Sequence, residues 1–170
     1  MYVVDATVWI DLHLCQHALQ AVFGLGIDFV SPDLVISEEL PASLAAHLRS
    51  LGMQARTMAS HQIPELSRIA ESRSALSVQD ISVYLLACDL GAGVLTGDGP
   101  LRRFCQEQQV TVHGTLWLMD CLVQRGLIAA TAAEQCLNTM LAAGSRLPTE
   151  ECDRLVRRWK RLRGGGFSKD

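Results

Sequence analysis

The sequence lacks any long apolar run and any recognisable leader. No stretch of its 170 residues approaches the ~18–20 apolar residues that a membrane-spanning helix requires. The first five residues lack the basic and long apolar regions of a signal peptide. The sequence also contains no internal repeat, no coiled-coil heptad and no Walker-type glycine loop. We therefore expect a cytoplasmic protein that makes no contact with membranes.

Six cysteines are present, but the spacings that would give them a role are missing. None approaches a Cys-x-x-Cys or a Cys/His ligand pattern, and most lie in apolar helical stretches. We expect small core residues rather than disulfides or zinc ligands. His13 and His17 stand four residues apart, which suits a metal on a helix. Because no acid is suitably placed nearby in the sequence, we expect no metal there.

Positive charge is scarce over most of the chain. Only 19% of the residues are charged, and the formal net charge is −3. Residues 1–130 carry 13 acids and 7 bases, whereas residues 131–170 carry 5 acids and 8 bases. A nucleic-acid-binding protein usually presents a basic surface. Such a function here must overcome a negative body, most simply through divalent cations where the carboxylates cluster.

Short apolar strands alternate with helical patterns through the first 130 residues. Apolar runs predict strands at 2–4, 27–30, 93–96 and 110–112, a further strand candidate at 53–58, and one helix over 7–23. In a chain that is 49% hydrophobic, this alternation predicts a globular α/β sandwich with a mainly parallel central sheet. Residues 131–163 predict a helical hairpin appended to this 1–130 domain, and residues 164–170 a disordered tail.

Carboxylates follow the predicted strands at the points where parallel sheets bind ligands. Asp5 and Asp98 each come directly after an apolar strand, and Glu38 and Glu39 follow the second strand. Asp80 opens the helix that leads into the strand before Asp98. We expect four of these acids to converge. The alternatives are structural, because Asp5 and Asp98 also suit helix N-caps, Asp80 completes a capping-box pattern, and either glutamate suits a solvated helix face.

Converging acids would have a chemical consequence. They repel one another and raise each other's pKa unless a cation lies between them. Oxygen ligands favour Mg²⁺ or Mn²⁺. Two such ions would activate a water for in-line attack on a phosphodiester and stabilise the leaving oxygen, which is nuclease chemistry.

Four segments that carry these acids resemble, in order and spacing, the motifs of the PIN domain and of VapC-like toxin ribonucleases in particular. They are Val3–Ile10, Ser31–Val35 with the two glutamates after it, Leu76–Asp80 and Val94–Asp98. The resemblance covers residues 1 to about 130. It implies a three-layer α/β/α fold and metal-dependent endonucleolytic cleavage of RNA.

The same resemblance implies roles for individual residues. The implied catalytic acids, which would hold Mg²⁺ or Mn²⁺, are Asp5, Glu38, Asp80 and Asp98. Glu39 is the alternative to Glu38, which is preferred because it lies six residues after Pro32, as the family's acid usually does. The hydroxyls of Thr7 and Thr96 match positions that hold these acids or a bound water.

The resemblance also implies partners. VapC-like toxins are normally held inactive by a cognate antitoxin that blocks the cleft, and many are dimers. We therefore expect an RNA substrate, an antitoxin protein and a homodimer as candidate partners. The 131–163 extension departs from the shortest members of the family and makes the toxin assignment less specific than the nuclease assignment.

Basic side chains near these motifs are candidates for binding RNA phosphates. Arg102 and Arg103 follow Asp98 on the next helix, and a dense basic cluster surrounds Trp159. Each also suits a solvated helix face, and the cluster suits an acidic partner.

Two other functions stay open: a non-catalytic interaction module, and an aspartate-based phosphoryl-transfer domain with Asp5 as nucleophile. Position 7 counts against phosphoryl transfer, because such a site usually has a second acid two residues after the nucleophile, and this chain has Thr7 there.

Overall fold

The structure is a computed structural model that describes residues 1–164, with side chains described up to residue 161. The predicted disordered tail, residues 164–170, lies outside the described residues except for Gly164, the last residue of the final helix. Within the described residues, no helix is long and apolar enough to cross a membrane.

Five short strands form one sheet in which all neighbouring strands are parallel. The strands are β1 (Tyr2–Val4), β2 (Phe29–Pro32), β3 (Gln54–Arg56), β4 (Gly93–Leu95) and β5 (Val112–His113). Their order across the sheet is β3-β2-β1-β4-β5. The predicted α/β sandwich is confirmed, although β2 and β5 each begin two residues later than their apolar runs suggested.

Ten α-helices connect and extend the strands within residues 1–164. They are α1 (Ala6–His13), α2 (Gln16–Val22), α3 (Asp33–Glu38), α4 (Ala42–Leu51), α5 (Ile63–Ser72), α6 (Val78–Leu90), α7 (Gly99–Glu107), α8 (Thr115–Gln124), α9 (Ala130–Ala142) and α10 (Thr149–Gly164). The single helix predicted over 7–23 is wrong, because the backbone of Cys15 leaves the helical region (φ −137°, ψ 82°). Leu12 and Leu19, on either side of this break, are both buried, so the apolar residues of both helices still face the core.

The strand order reverses direction at β1. From β1 the chain adds β2 and β3 on one side and then returns to add β4 and β5 on the other. Right-handed crossovers that run in opposite directions place their helices on opposite faces of the sheet, which produces three layers. The crevice between the carboxyl ends of β1 and β4 is therefore the place where such a sheet binds ligands.

The C-terminal hairpin packs into the same core as the sheet. Helices α9 and α10 contact each other, and both contact α8. Cys136 on α9 and Trp159 on α10 are buried in the cluster that also contains Val3 of β1. Trp159 Nε1 donates a hydrogen bond to Asp120 Oδ1 on α8 at 2.9 Å. The predicted hairpin is thus present, while its separation from the body at residue 130 stays a prediction.

Two of the six cysteines form a disulfide, contrary to the expectation from the sequence. Cys15, at the break between α1 and α2, is bonded to Cys136 on α9 across 121 residues. His17 Nε2 lies 3.3 Å from the sulfur of Cys136 and 3.7 Å from that of Cys15. Spacing along the chain could not reveal this pairing, because it joins the first connection of the domain to the hairpin. Cys105 and Cys152 are free and buried, as expected for core residues.

Opening the disulfide should lower the free energy of unfolding by about 2–4 kcal/mol, since the bond restricts a long loop of the unfolded chain. Reducing compartments keep such pairs as thiols, so the comparison uses protein oxidised and reduced in vitro. Urea denaturation of Cys15→Ser should match the reduced wild type, and Cys88→Ser, which alters an exposed free cysteine, should leave stability unchanged. Six free thiols in the oxidised, denatured protein would show that no bond forms.

Candidate active site

Asp5 lies at the carboxyl end of β1, facing the crevice where the strand order reverses. The residue is only 4% exposed, and its backbone N–H donates to the carbonyl of Leu95 in β4 at 2.9 Å. Although Asp5 occupies the N-cap position of α1, its side chain makes no capping hydrogen bond. An N-cap role therefore does not explain why the carboxylate of Asp5 is buried.

Two threonine hydroxyls hold the Asp5 carboxylate. Oδ2 accepts hydrogen bonds from Thr7 Oγ1 at 2.5 Å and from Thr96 Oγ1 at 2.8 Å. Each hydroxyl in turn accepts a backbone N–H, from Gly97 for Thr7 and from Asp98 for Thr96, both at 2.9 Å. These amides orient the hydroxyl protons toward Asp5, so the loop after β4 fixes the carboxylate that follows β1.

Asp98 and Asp80 begin the two helices that flank this crevice. Asp98 is the N-cap of α7, where its Oδ1 accepts the N–H of Leu101 at 2.8 Å. In α6, Oδ2 of Asp80 accepts both the N–H and the hydroxyl of Ser77, at 2.8 and 2.7 Å. The capping roles expected as alternatives are thus present. They engage one oxygen of each carboxylate.

The glutamate that faces the aspartates is Glu39, not the preferred Glu38. Glu39 follows Val35 by four residues and donates its N–H to the carbonyl of Val35 at 3.1 Å. Residues four apart share one side of a helix, so Glu39 lies on the side of the buried Val35. Both glutamates are exposed, and Glu38 is turned from Glu39 by about 100° around the helix axis. Electrostatic coupling to the aspartates favours Glu39, the alternative to Glu38, and the choice between the two stays a prediction.

The acids of this cluster disfavour one another's charge. Although Glu39 is exposed, partial desolvation of its carboxylate, reinforced by the charges of Asp5, Asp80 and Asp98, raises its pKa to about 7. Burial also raises the pKa of Asp5, against the hydrogen bonds of its two threonines, and Asp80 adds to this rise. For Asp80 itself, burial and the charge of Asp98 outweigh the Ser77 hydrogen bonds. The four acids therefore form one electrostatically coupled site, which we call the acidic cluster: Asp5, Glu39, Asp80 and Asp98.

The four carboxylates do not form a tight group of three or more oxygens in the described part of the chain. In the described part of the chain, the one group of three or more His, Cys, Asp or Glu ligand atoms that all lie within 4.8 Å of one another is Cys15, His17 and Cys136. The acidic cluster is thus wider than a cage of direct protein ligands. This spacing suits Mg²⁺, which keeps several waters and takes only one or two carboxylates in many sites.

The two candidate substrate arginines lie in different places. Arg102 Nη2 donates to the carbonyl of Thr96 at 2.7 Å, which places its guanidinium beside the acidic cluster. Arg103 lines a separate depression with Arg73, which directly follows α5, and with Glu107. Arg102 is bonded to the residue two positions before Asp98, whereas the guanidinium of Arg103 lies beside Gly99, directly after Asp98.

A family model described as DUF3368, PIN domain, matches residues 1–161. The chain belongs to the PIN-domain family. PIN domains are generally nucleases and typically bind divalent metals. The match extends beyond residue 130, so the hairpin of this PIN domain lies within the family's span. A search of curated proteins finds no match.

The sequence contained a signal that separates the two glutamates of this PIN domain. Val35 and Ile36 are the buried residues of α3, and helical periodicity from Val35 reaches position 39 after four residues. The inward face of α3 therefore favours Glu39, whereas the distance from Pro32 favours Glu38.

Proposed function

We propose that this PIN domain is a Mg²⁺- or Mn²⁺-dependent endoribonuclease and the toxin of a toxin–antitoxin pair. The observation that supports it is the electrostatic coupling of Asp5, Glu39, Asp80 and Asp98 at the crevice between β1 and β4. The choice of RNA as substrate rests on the resemblance of the four motifs to VapC-like toxins. The cytoplasm is the location that such a substrate and partner suggest.

The acidic cluster fits a hard divalent cation. Its donors are carboxylate and hydroxyl oxygens, which hard cations prefer to thiolates or imidazoles. The raised pKa values of Asp5, Glu39 and Asp80 show unfavourable negative charge that a dication would relieve. When bound, the cation supplies Lewis-acid activation of water and neutralises charge on the phosphodiester.

The protein's own groups prepare this chemistry. Thr7 and Thr96 hold Oδ2 of Asp5 in one orientation, and the caps of α6 and α7 hold one oxygen each of Asp80 and Asp98. Each aspartate can then offer its other oxygen without losing these bonds. Arg102, tied to the carbonyl of Thr96, offers a cation for a substrate phosphate on the same loop.

Cleavage of a single-stranded RNA by the purified protein should require the metal. We expect turnover with Mn²⁺ or Mg²⁺, complete loss in EDTA, and recovery when the metal is returned in excess. RNA cleavage that persists in EDTA would falsify the metal mechanism. No cleavage at saturating Mn²⁺ would favour an interaction module, and a phosphorylated Asp5 trapped with a phosphate donor would favour phosphoryl transfer.

Substitution of the adjacent glutamates should separate their roles. Glu39→Gln should lower cleavage about 10–100-fold, the range seen when a partner of a metal site is lost. The matched variant Glu38→Gln should stay within about twofold, because Glu38 is turned away from the acidic cluster around the helix axis. The measurement is the rate of RNA cleavage at limiting Mn²⁺. A larger loss in Glu38→Gln would restore the choice made from the sequence.

The toxin assignment predicts a partner that can be tested genetically. Expression of this chain should arrest growth, and co-expression of a small protein from the adjacent open reading frame should relieve the arrest. A homodimer stays a further proposal, to be checked by sedimentation of the purified chain. If no neighbouring gene relieves the growth arrest, the nuclease proposal stands but the toxin–antitoxin assignment is wrong.

A further inference from the structure

A cavity of about 570 Å³ opens beside the acidic cluster. Thr96 and Gly97, which precede Asp98, contribute to its lining, and so does the α9–α10 turn at residues 146–148. We call this space the hairpin cavity. Its volume lies within the range of ordinary ligand sites. The nuclease crevice and the C-terminal hairpin therefore share a surface.

The hairpin cavity carries cationic groups in an otherwise acidic body. The charged residues that line it are Arg102, Asp120, Arg146, Glu151 and Arg158. Arg158 is paired with Asp120, and Arg102 is bonded to the carbonyl of Thr96. Arg146 is exposed, and in the part of the chain with described side chains it takes part in no ion pair. Arg146 therefore offers an uncommitted guanidinium, a group that binds phosphate through two parallel hydrogen bonds.

An aromatic pair lines the same cavity. The rings of His113 and Trp117 are stacked, with centroids 4.3 Å apart and planes 8° from parallel. Both residues are half-buried. Burial, with a smaller effect of Arg102, lowers the pKa of His113, so its imidazole is neutral at neutral pH. Flat neutral rings beside cations are the combination that single-stranded nucleic acid sites use, because every base has a face that can stack.

We propose, on the basis of the nuclease function proposed above, that the hairpin cavity binds one nucleotide of the single-stranded RNA next to the scissile phosphate. The base packs against the His113–Trp117 pair, and its phosphate binds Arg146. The cavity's continuity with the Thr96–Gly97 loop places this nucleotide beside the acidic cluster. The α9–α10 hairpin thereby contributes a side chain to substrate binding, which gives the extension a role beyond packing.

Binding can be measured without cleavage, so the result does not depend on the nuclease reaction. Trp9 and Trp159 are fully buried, and Trp117 is the half-buried member of the chain's three tryptophans. In EDTA, adenosine and uridine 5′-monophosphates and a short single-stranded RNA should quench tryptophan fluorescence saturably. Arg146→Glu should weaken both forms of binding by about tenfold or more.

The matched control is Arg157→Glu, which makes the same charge change at an exposed position of α10 outside the cavity lining. It should change binding by less than about twofold at moderate salt. In the cleavage assay, Arg146→Glu should raise KM about tenfold and leave kcat within about twofold.

Three results would overturn the proposal. One is the absence of quenching by any of these ligands. Another is equal weakening by Arg146→Glu and Arg157→Glu, which would indicate general electrostatic attraction. The third is mononucleotide binding that depends on Arg146 while RNA binding does not, which would indicate a nucleotide site separate from the substrate path.

Discussion

Asp5→Asn should lower RNA cleavage by at least about 10³-fold at saturating Mn²⁺ while the protein stays folded. The asparagine keeps the shape of the side chain and can still accept hydrogen bonds from Thr7 and Thr96, but it removes the charge that would bind the cation. Metal stabilisation of a developing charge contributes several kcal/mol, and each 1.36 kcal/mol is about tenfold in rate. Cleavage kinetics and thermal melting together check this expectation.

The melting temperature of Asp5→Asn in EDTA should equal or exceed that of the wild type. Burial and the charge of Asp80 already raise the pKa of Asp5, so the ionised carboxylate is unfavourable in the metal-free fold. Asp28→Asn is a suitable control, because Asp28 is exposed and precedes β2, at the amino-terminal ends of the strands and away from the acidic cluster. An Asp5→Asn protein that keeps a tenth of the activity would exclude Asp5 as an essential ligand.

Trp159→Ala should lower the free energy of unfolding by about 3–5 kcal/mol. Trp159 is 1% exposed, and its Nε1 donates to Asp120 across the α8–α10 contact. The substitution removes a large side chain from the core that the hairpin shares with the sheet. In a domain of this length, the melting temperature should fall by about 6–20 °C.

The shape of the melting curve tests whether the hairpin is a separate unit. We expect one cooperative transition that shifts as a whole in Trp159→Ala, and a smaller shift in Trp159→Phe, which keeps the ring but loses the hydrogen bond to Asp120. A first transition confined to the hairpin, followed by an unchanged second one, would support the domain boundary at residue 130.

The elements of this fold could be predicted largely because their signals are local. The apolar runs that became β1 and β4 end at Asp5 and close to Asp98, and their parallel pairing brings those ends to one edge of the sheet. The capping box at Ser77–Asp80 can also be predicted from the sequence, because it is a pattern of four consecutive residues. Local pattern and strand-end position together were therefore enough to indicate three of the four clustered acids.

The features that could not be predicted depend on contacts across the chain. The Cys15–Cys136 bond joins residues 121 positions apart, and the helix break beside it has no glycine or proline to mark it. The choice of Glu39 depends on how a six-residue helix ends. Arg146 and Trp117 line one cavity because of where the hairpin folds back, and the periodicity of the sequence does not predict that direction.

The pairing of β1 with β4 also has a consequence for synthesis. Asp5 leaves the ribosome early, but the hydroxyl of Thr96 that holds it is made 91 residues later. A nascent chain that has not yet exposed β4 carries Asp5 without Thr96 and Asp98. Since contacts between residues distant in the chain form only after both have been made, the growing polypeptide should remain inert toward the messenger from which it is translated.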